Sequence, residues 1–159
     1  MSEPAPNLIH EFTYRAACEG PREAGCGPFG RRQFYKMTDG VVEGARLRGG
    51  LAGSGGDWML VGDDGFLRMD VRIQIETDDG AIIGARYFGP AEANQTLMQA
   101  LATRAPTRFS DQSIGSHWVL ESGEPRYAWV NQTAFIGQGR LCPAADGRIG
   151  FEHRVYRLG

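Results

Sequence analysis

At 159 residues, with 17 basic against 19 acidic side chains and a formal net charge of -2, the chain carries no global field that favours nucleic acid or an anionic membrane. It is long enough to bury roughly 70% of its unfolded surface as one unit, so a single domain over residues 1–159 is expected. Cys18, Cys26 and Cys142 show no CxxC or Cys/His spacing, which argues against a disulfide framework or a structural zinc site and for a reduced, cytoplasmic setting.

The start, MSEPAPNLIHEF, lacks a basic segment followed by an apolar core, and no run of about 18 apolar residues occurs, so neither export nor membrane insertion is signalled. Residues 1–7 read as a mobile, Pro-containing lead. Residues 8–17 read as a strand with Leu8, His10, Phe12 and Tyr14 on one side. The segment 18–30 contains Gly20, Pro21, Gly25, Gly27, Pro28 and Gly30, too many breakers for a regular element, and is expected to be a loop. Segments 33–38 and 41–47 flank Asp39-Gly40, the signature of a hairpin. The glycine-rich GGLAGSGG at 49–56 is no phosphate loop, because such a loop needs a strand before it and a helix after it. Here a strand follows, so a flexible connection or a bulge is the expectation.

Residues 55–89 read as three strands and two turns. From 68 to 76 the even positions Arg68, Asp70, Arg72, Gln74 and Glu76 are polar and the odd positions Met69, Val71, Ile73 and Ile75 are apolar, the period of a strand. Asp64-Gly65 and Asp79-Gly80 suit two-residue type I′ turns at either end. A helix is expected over 91–104, where Pro90 fits the first turn and Leu97, Met98 and Leu101 share a face. A short helix of this kind plugs or covers the open end of a sheet. Beyond it, strands are expected at 107–111, 117–121, 126–136 and 148–158, with a turn at Asp146-Gly147. The class that follows is all-β, a closed antiparallel β-barrel with one short helix.

The segments GRRQFYKMTDGVVEGARLRGG, GGDWMLVGDDGFLRMDVRIQIETDDGAIIG and RYAWVNQTAFIGQGR, in their order and spacing, resemble a family of small bacterial proteins of unknown function. Its members look like compact β-barrels related in shape to calycins and to allene oxide cyclase. The resemblance runs from about residue 8 to residue 156, and it implies the same calycin-like, allene-oxide-cyclase-like barrel here. The family's aromatic-rich segment is present in altered form as RFSDQSIGSHWVLESGEPRYAW.

Two orientations of the 68–76 strand stay open. In an ordinary antiparallel sheet the apolar stripe faces the core. In a ligand-holding barrel the lumen carries a few polar groups, and the resemblance favours this second orientation. Asp70 and Arg72, at i and i+2, would then face the lumen together as catalytic candidates, with Asp57 as a second carboxylate able to accept a proton. Trp58, Tyr87, Tyr127, Trp129 and Asn131 offer rings and polar tips for a flat, largely apolar substrate. Glu121 and His117 complete the acid–base candidates. Met69, Val71, Ile73 and Ile75 would then face outward and need covering by a second copy, so a homo-oligomer is expected.

His10, His117 and His153 form no HxH or HxxxH pattern, no GxSxG elbow occurs, and no cofactor motif is present. Two functions follow from different classes. One is a cofactor-free isomerase or lyase that moves a proton on a small apolar or aromatic substrate. The other is a carrier or sensor that uses the same pocket without chemistry.

Overall fold

The computed structural model describes residues 4–159; the lead expected over 1–7 falls partly outside them. The elements are β1 (Leu8–Gly27), β2 (Gly30–Gly44), β3 (Arg48–Leu51), β4 (Gly55–Val61), β5 (Phe66–Thr77), β6 (Ile82–Glu92), α1 (Gln95–Thr103), β7 (Gly115–Glu121), a 3-10 helix (Pro125–Gln132), β8 (Phe135–Leu141) and β9 (Ile149–Leu158). The nine strands form one antiparallel sheet in the order β1-β9-β8-β7-β6-β5-β3-β2-β4, with β1 also paired to β2 and β5 to β4. Followed strand by strand, the hydrogen bonding leads from β1 round to β2 and back to β1, a barrel-like arrangement.

β5 decides which side is inside. Met69, Val71, Ile73 and Ile75 are buried in the core, and Arg68, Arg72, Gln74 and Glu76 are exposed. A slip of one residue would exchange the two sets. Burying each of the four aliphatic chains contributes about 1.5 to 3 kcal/mol, whereas an exposed ion pair contributes under about 1 kcal/mol. The apolar stripe therefore wins the interior, and the expected inward placement of Asp70 and Arg72 is corrected. With that correction, the argument for a homo-oligomer from an outward apolar stripe falls away.

Among the mainly aliphatic core residues a cluster of rings packs together. Tyr87 stacks on Trp118 with centroids 4.1 Å apart, Tyr14 meets Trp118 edge-on at 5.7 Å, and Phe12 joins from the other side at 5.6 Å.

Several elements differ from the sequence-based expectation. The segment 18–30 is strand up to Gly27, because register shifts between Ala17 and Cys18, Glu19 and Arg22, and Glu23 and Gly25 absorb the glycines and the proline as bulges. Asp39-Gly40 lies inside β2 and makes no turn. Gly40 is there for space: a Cβ would sit 2.8 Å from Tyr14 Cε2. The turns at Asp64-Gly65 and Asp79-Gly80 stand where expected, but only the glycines have positive φ. They are type I turns closed by a left-handed glycine and not type I′.

Pro90 pairs with Arg68 in β6, and α1 begins four residues later than expected at Gln95, after Asn94, whose side chain accepts from the Leu97 N–H. Residues 107–111 form no strand. Thr107 Oγ1 accepts from the Leu141 N–H, and Asp111 accepts from the Arg108 N–H, so side chains satisfy what a ladder would have. The strand expected at 126–136 is replaced over most of its length by the 3-10 helix. Pro125 starts that helix, and Asn131 locks it by accepting from the Ser122 N–H and donating to the Ser122 carbonyl.

His10 leaves the face of Phe12 and Tyr14, because the β1–β9 register shifts between His10 and Phe12. Among the described residues, no helix is long and apolar enough to cross a membrane.

Candidate functional site at the helix-covered end

Inward-facing positions on neighbouring strands place Tyr35 directly opposite Asp57 across β2 and β4. Paired positions of this kind hold their Cβ atoms about 4.5 to 5.5 Å apart. Asp57 is 4% exposed, and its Oδ1 accepts from the Asp70 backbone N–H at 3.0 Å. Burial pushes its carboxyl up to about 6, against the opposing pull of that N–H, and the Asp70 carboxylate adds to the rise. A carboxyl poised there can take up a proton near neutral pH, as a general base must.

Hydroxyls and a thiol surround it. The Tyr35 hydroxyl is pushed up to about 12, first by burial and then by Cys18 and Asp57, with Arg104 pulling the other way. Burial likewise pushes the Cys18 thiol up to about 12. Tyr87 lies higher than an ordinary tyrosine because of burial, then Tyr14, Asp57 and Cys18. All these groups stay protonated at neutral pH. Among the described residues the Tyr14 hydroxyl and His153 Nδ1 are buried without a hydrogen-bond partner, and burial lowers His153 to about 4, so its ring is neutral.

A cleft of about 320 Å³ opens beside this group. Tyr35, Arg31 and Leu67 line it from the sheet, and Met98, Leu101 and Arg104 from α1 and its C-terminal cap. Arg104 adopts the left-handed conformation that ends the helix, with φ 59°, and its guanidinium donates to the Leu101 carbonyl. Arg31 is paired with Glu23 at 2.6 Å. Among the described residues Arg104 has no carboxylate partner.

Two other buried carboxylates are held differently. Glu11 is clamped by Arg46 at 2.7 Å and Arg157 at 2.9 Å, which hold it below its ordinary range, Arg46 foremost. Burial pushes Glu152 up, but Arg140 and Arg15 outweigh it and the net direction is down. Both therefore stay ionised and join strands. Asp57 has no guanidinium partner among the described residues, so nothing of that kind offsets the burial that raises it to about 6.

The site residues expected from sequence separate into groups. Asp57 and Tyr87 are both buried inside, in one row across β4, β5 and β6 with Val71 between them. Trp58, Asp70 and Arg72 lie together on the outer face of the sheet; Asp70 pairs with Arg86 at 3.0 Å and not with Arg72. Tyr127, Trp129 and Asn131 sit on the 3-10 helix at the opposite end, so their expected alternation on a strand is corrected. There the Tyr127 hydroxyl donates to Asp79 Oδ1 at 2.8 Å, and the Arg46 guanidinium covers the Trp129 ring at 3.8 Å. Glu121 faces water opposite Gly84. His117 stacks on Phe88 on the outer face, centroids 5.5 Å apart.

Sequence reasoning missed Tyr35, Cys18, Tyr14, His153 and Arg104 as parts of this site. Only the alternation of Gln33, Tyr35 and Met37 hinted at an inward Tyr35. Among the described residues no group of three or more His, Cys, Asp or Glu side chains is placed to hold a metal ion.

The family described as "Protein of unknown function (DUF3237)" matches residues 6–158, and the chain belongs to it. A UPF0311 protein of Rhodopseudomonas palustris strain TIE-1 is 29% identical over 139 residues, 84% of this chain and 88% of that protein. PR-toxin biosynthesis cluster protein 7 of Penicillium roqueforti is 23% identical, covering 95% of this chain and 91% of that protein. Among solved structures, a beta-barrel like protein from Acinetobacter baumannii AYE has a TM-score of 0.77 at 25% identity, covering 99% of both chains. An enzyme from Penicillium herquei has a TM-score of 0.69 at 18% identity, covering 100% of this chain and 99% of that one.

Proposed function

We propose that this DUF3237 chain is a closed barrel acting as a cofactor-free isomerase or lyase, which moves a proton on a small, largely apolar or aromatic substrate bearing a carbonyl oxygen. The observation that carries this reading is Asp57, a buried carboxyl without a cationic partner among the described residues, raised to about 6 and set across from a tyrosine that lines a cleft of about 320 Å³. Two proteins similar to this chain add support: one is named for a toxin-biosynthesis cluster and the other is called an enzyme.

In the proposed step the substrate reaches past Tyr35, which lines the cleft, to Asp57 buried behind it, and the Asp57 carboxylate removes a proton from the carbon next to the carbonyl. The bonding pair moves into an enolate, and the negative oxygen is met by the Tyr35 hydroxyl and the Arg104 guanidinium, donors that are worth most in a low-dielectric setting. Return of the proton to a different carbon completes an isomerisation; expulsion of a β leaving group completes an elimination. Atoms and electrons balance without an oxidant or an added group. Met98, Leu101 and Leu67 supply the apolar wall for the substrate.

The reading is tested by incubating the protein in heavy water with a panel of aryl ketones and following deuterium uptake at the α-carbon by mass spectrometry. Uptake that is catalysed by the wild type and lost in Asp57→Asn is the expected result. Saturable binding of the ketones with no uptake in either protein would overturn the enzyme and leave the carrier.

A further inference from the structure

We propose that the outer face of the sheet around Trp58 is a second binding site, separate from the helix-covered cleft, for a small planar aromatic carboxylate. Trp58 is 48% exposed, and with Arg32, Asp70 and Arg72 it lines a cleft of about 350 Å³, the size of a small-molecule site. Its indole leans on Phe34, the residue opposite it on β2, with centroids 5.2 Å apart and planes at 57°. The two rings lean over Gly56. A Cβ there would lie 2.4 Å from Phe34 Cε2 and 3.3 Å from Trp58 Cη2, so the missing side chain is what lets the rings settle onto the strand. The result is a fixed apolar platform open to solvent.

Charge around the platform is one-sided. Asp70, the carboxylate lining the cleft, is taken by Arg86 at 3.0 Å. Arg32 spends one N–H on the Trp58 carbonyl at 3.2 Å. Among the described residues neither Arg32 nor Arg72 is in an ion pair. Lys36, opposite Gly56, which in turn pairs with Arg72, is likewise without one among the described residues. A guanidinium offers a planar fork that fits a carboxylate, and an indole face takes a flat ring. Together they select a ligand with both features. The net charge of -2 and the small size of the cleft point to a single small molecule and away from a nucleic-acid strand, which spreads its contacts over many phosphates.

The test uses the intact protein, labelled with nitrogen-15, titrated with 2-naphthoate as probe and 2-naphthylmethanol as its neutral match. Saturable movement of the Trp58 indole N–H signal by naphthoate is expected, with the Trp118 and Trp129 indoles unmoved. Binding should weaken by about tenfold or more in Arg72→Gln or Arg32→Gln, the loss of one charge-assisted contact. Both side chains point outward, and an unchanged spectrum elsewhere confirms that each variant is folded. The proposal is overturned if naphthoate at millimolar concentration moves nothing, if the alcohol binds equally well, if neither arginine variant weakens binding, or if the first signals to move belong to Tyr35 and Arg104.

Discussion

Tyr35 and Asp57 face each other across β2 and β4 on the inner side of the sheet, one lining the cleft under α1 and the other buried behind it. That pairing separates Asp57 from Glu11 and Glu152, which are equally buried but each held by two arginines. A carboxylate clamped by guanidinium groups is a fastener; one that faces a hydroxyl is free to take up and release a proton.

Asp57 should leave a mark on stability against pH. Its folded pKa is raised to about 6 from the ordinary 3.8, so between those values the folded protein binds the proton that the unfolded chain has lost. The contribution is fully present below about pH 4 and is lost as pH rises through about 6. Asp57→Asn, uncharged throughout, should therefore be more stable than the wild type by roughly 1 to 3 kcal/mol at about pH 8, with that advantage gone near pH 4. Urea unfolding of both proteins at the two pH values measures it, and equal differences at both would show that the carboxyl has its ordinary pKa.

His153 has the opposite sign. Its folded pKa is depressed to about 4 from 6.5, so on acidification the unfolded chain takes up the proton first. Stability is whole above about pH 6.5 and is lost as pH falls toward 4. Going from about pH 7 to about pH 5, the wild type should lose about 2 kcal/mol more than His153→Gln does, whatever the fixed cost of the substitution. The comparison is read from paired unfolding curves, and parallel losses would contradict a neutral buried ring.

Tyr14 carries a buried hydroxyl with no hydrogen-bond partner among the described residues. Tyr14→Phe keeps the ring that fills the space over Gly40 and removes the cost of burying that hydroxyl, so it should stabilise the protein by about 1 kcal/mol. Thermal unfolding gives the answer; a lower midpoint would mean that the hydroxyl makes a bond the fold depends on.

Arg72 points into water from β5, in no ion pair among the described residues. Arg72→Met should change stability by no more than about 0.5 kcal/mol, where burial beside Asp70 would have made the same change cost several. Chemical denaturation distinguishes the two outcomes, and a large loss would restore the inward orientation.

How far the sequence reaches is plain from β5 and its neighbours. The alternation from Arg68 to Glu76 determined a two-faced strand, and the Asp-Gly pairs at 64-65, 79-80 and 146-147 determined where the chain turns, because these are local consequences of backbone geometry. Local pattern put the apolar stripe inside, as in an ordinary antiparallel sheet, and the family resemblance pointed the other way; the summed burial of the apolar stripes round the sheet, which no single strand contains, decided for the pattern. It misled at Gly40, where a glycine that looked like a turn makes room for Tyr14, a residue 26 positions earlier. It misled again at Tyr127 and Asn131, whose bonds to Asp79 and Ser122 hold a 3-10 helix that alternation alone would have made a strand. Asp57 was legible as one acid–base candidate among several, because burial in an apolar barrel raises a carboxyl toward neutral pH. Its partner Tyr35 was not, since a cross-strand neighbour is fixed by register, and register between β2 and β4 exists only once the sheet has formed.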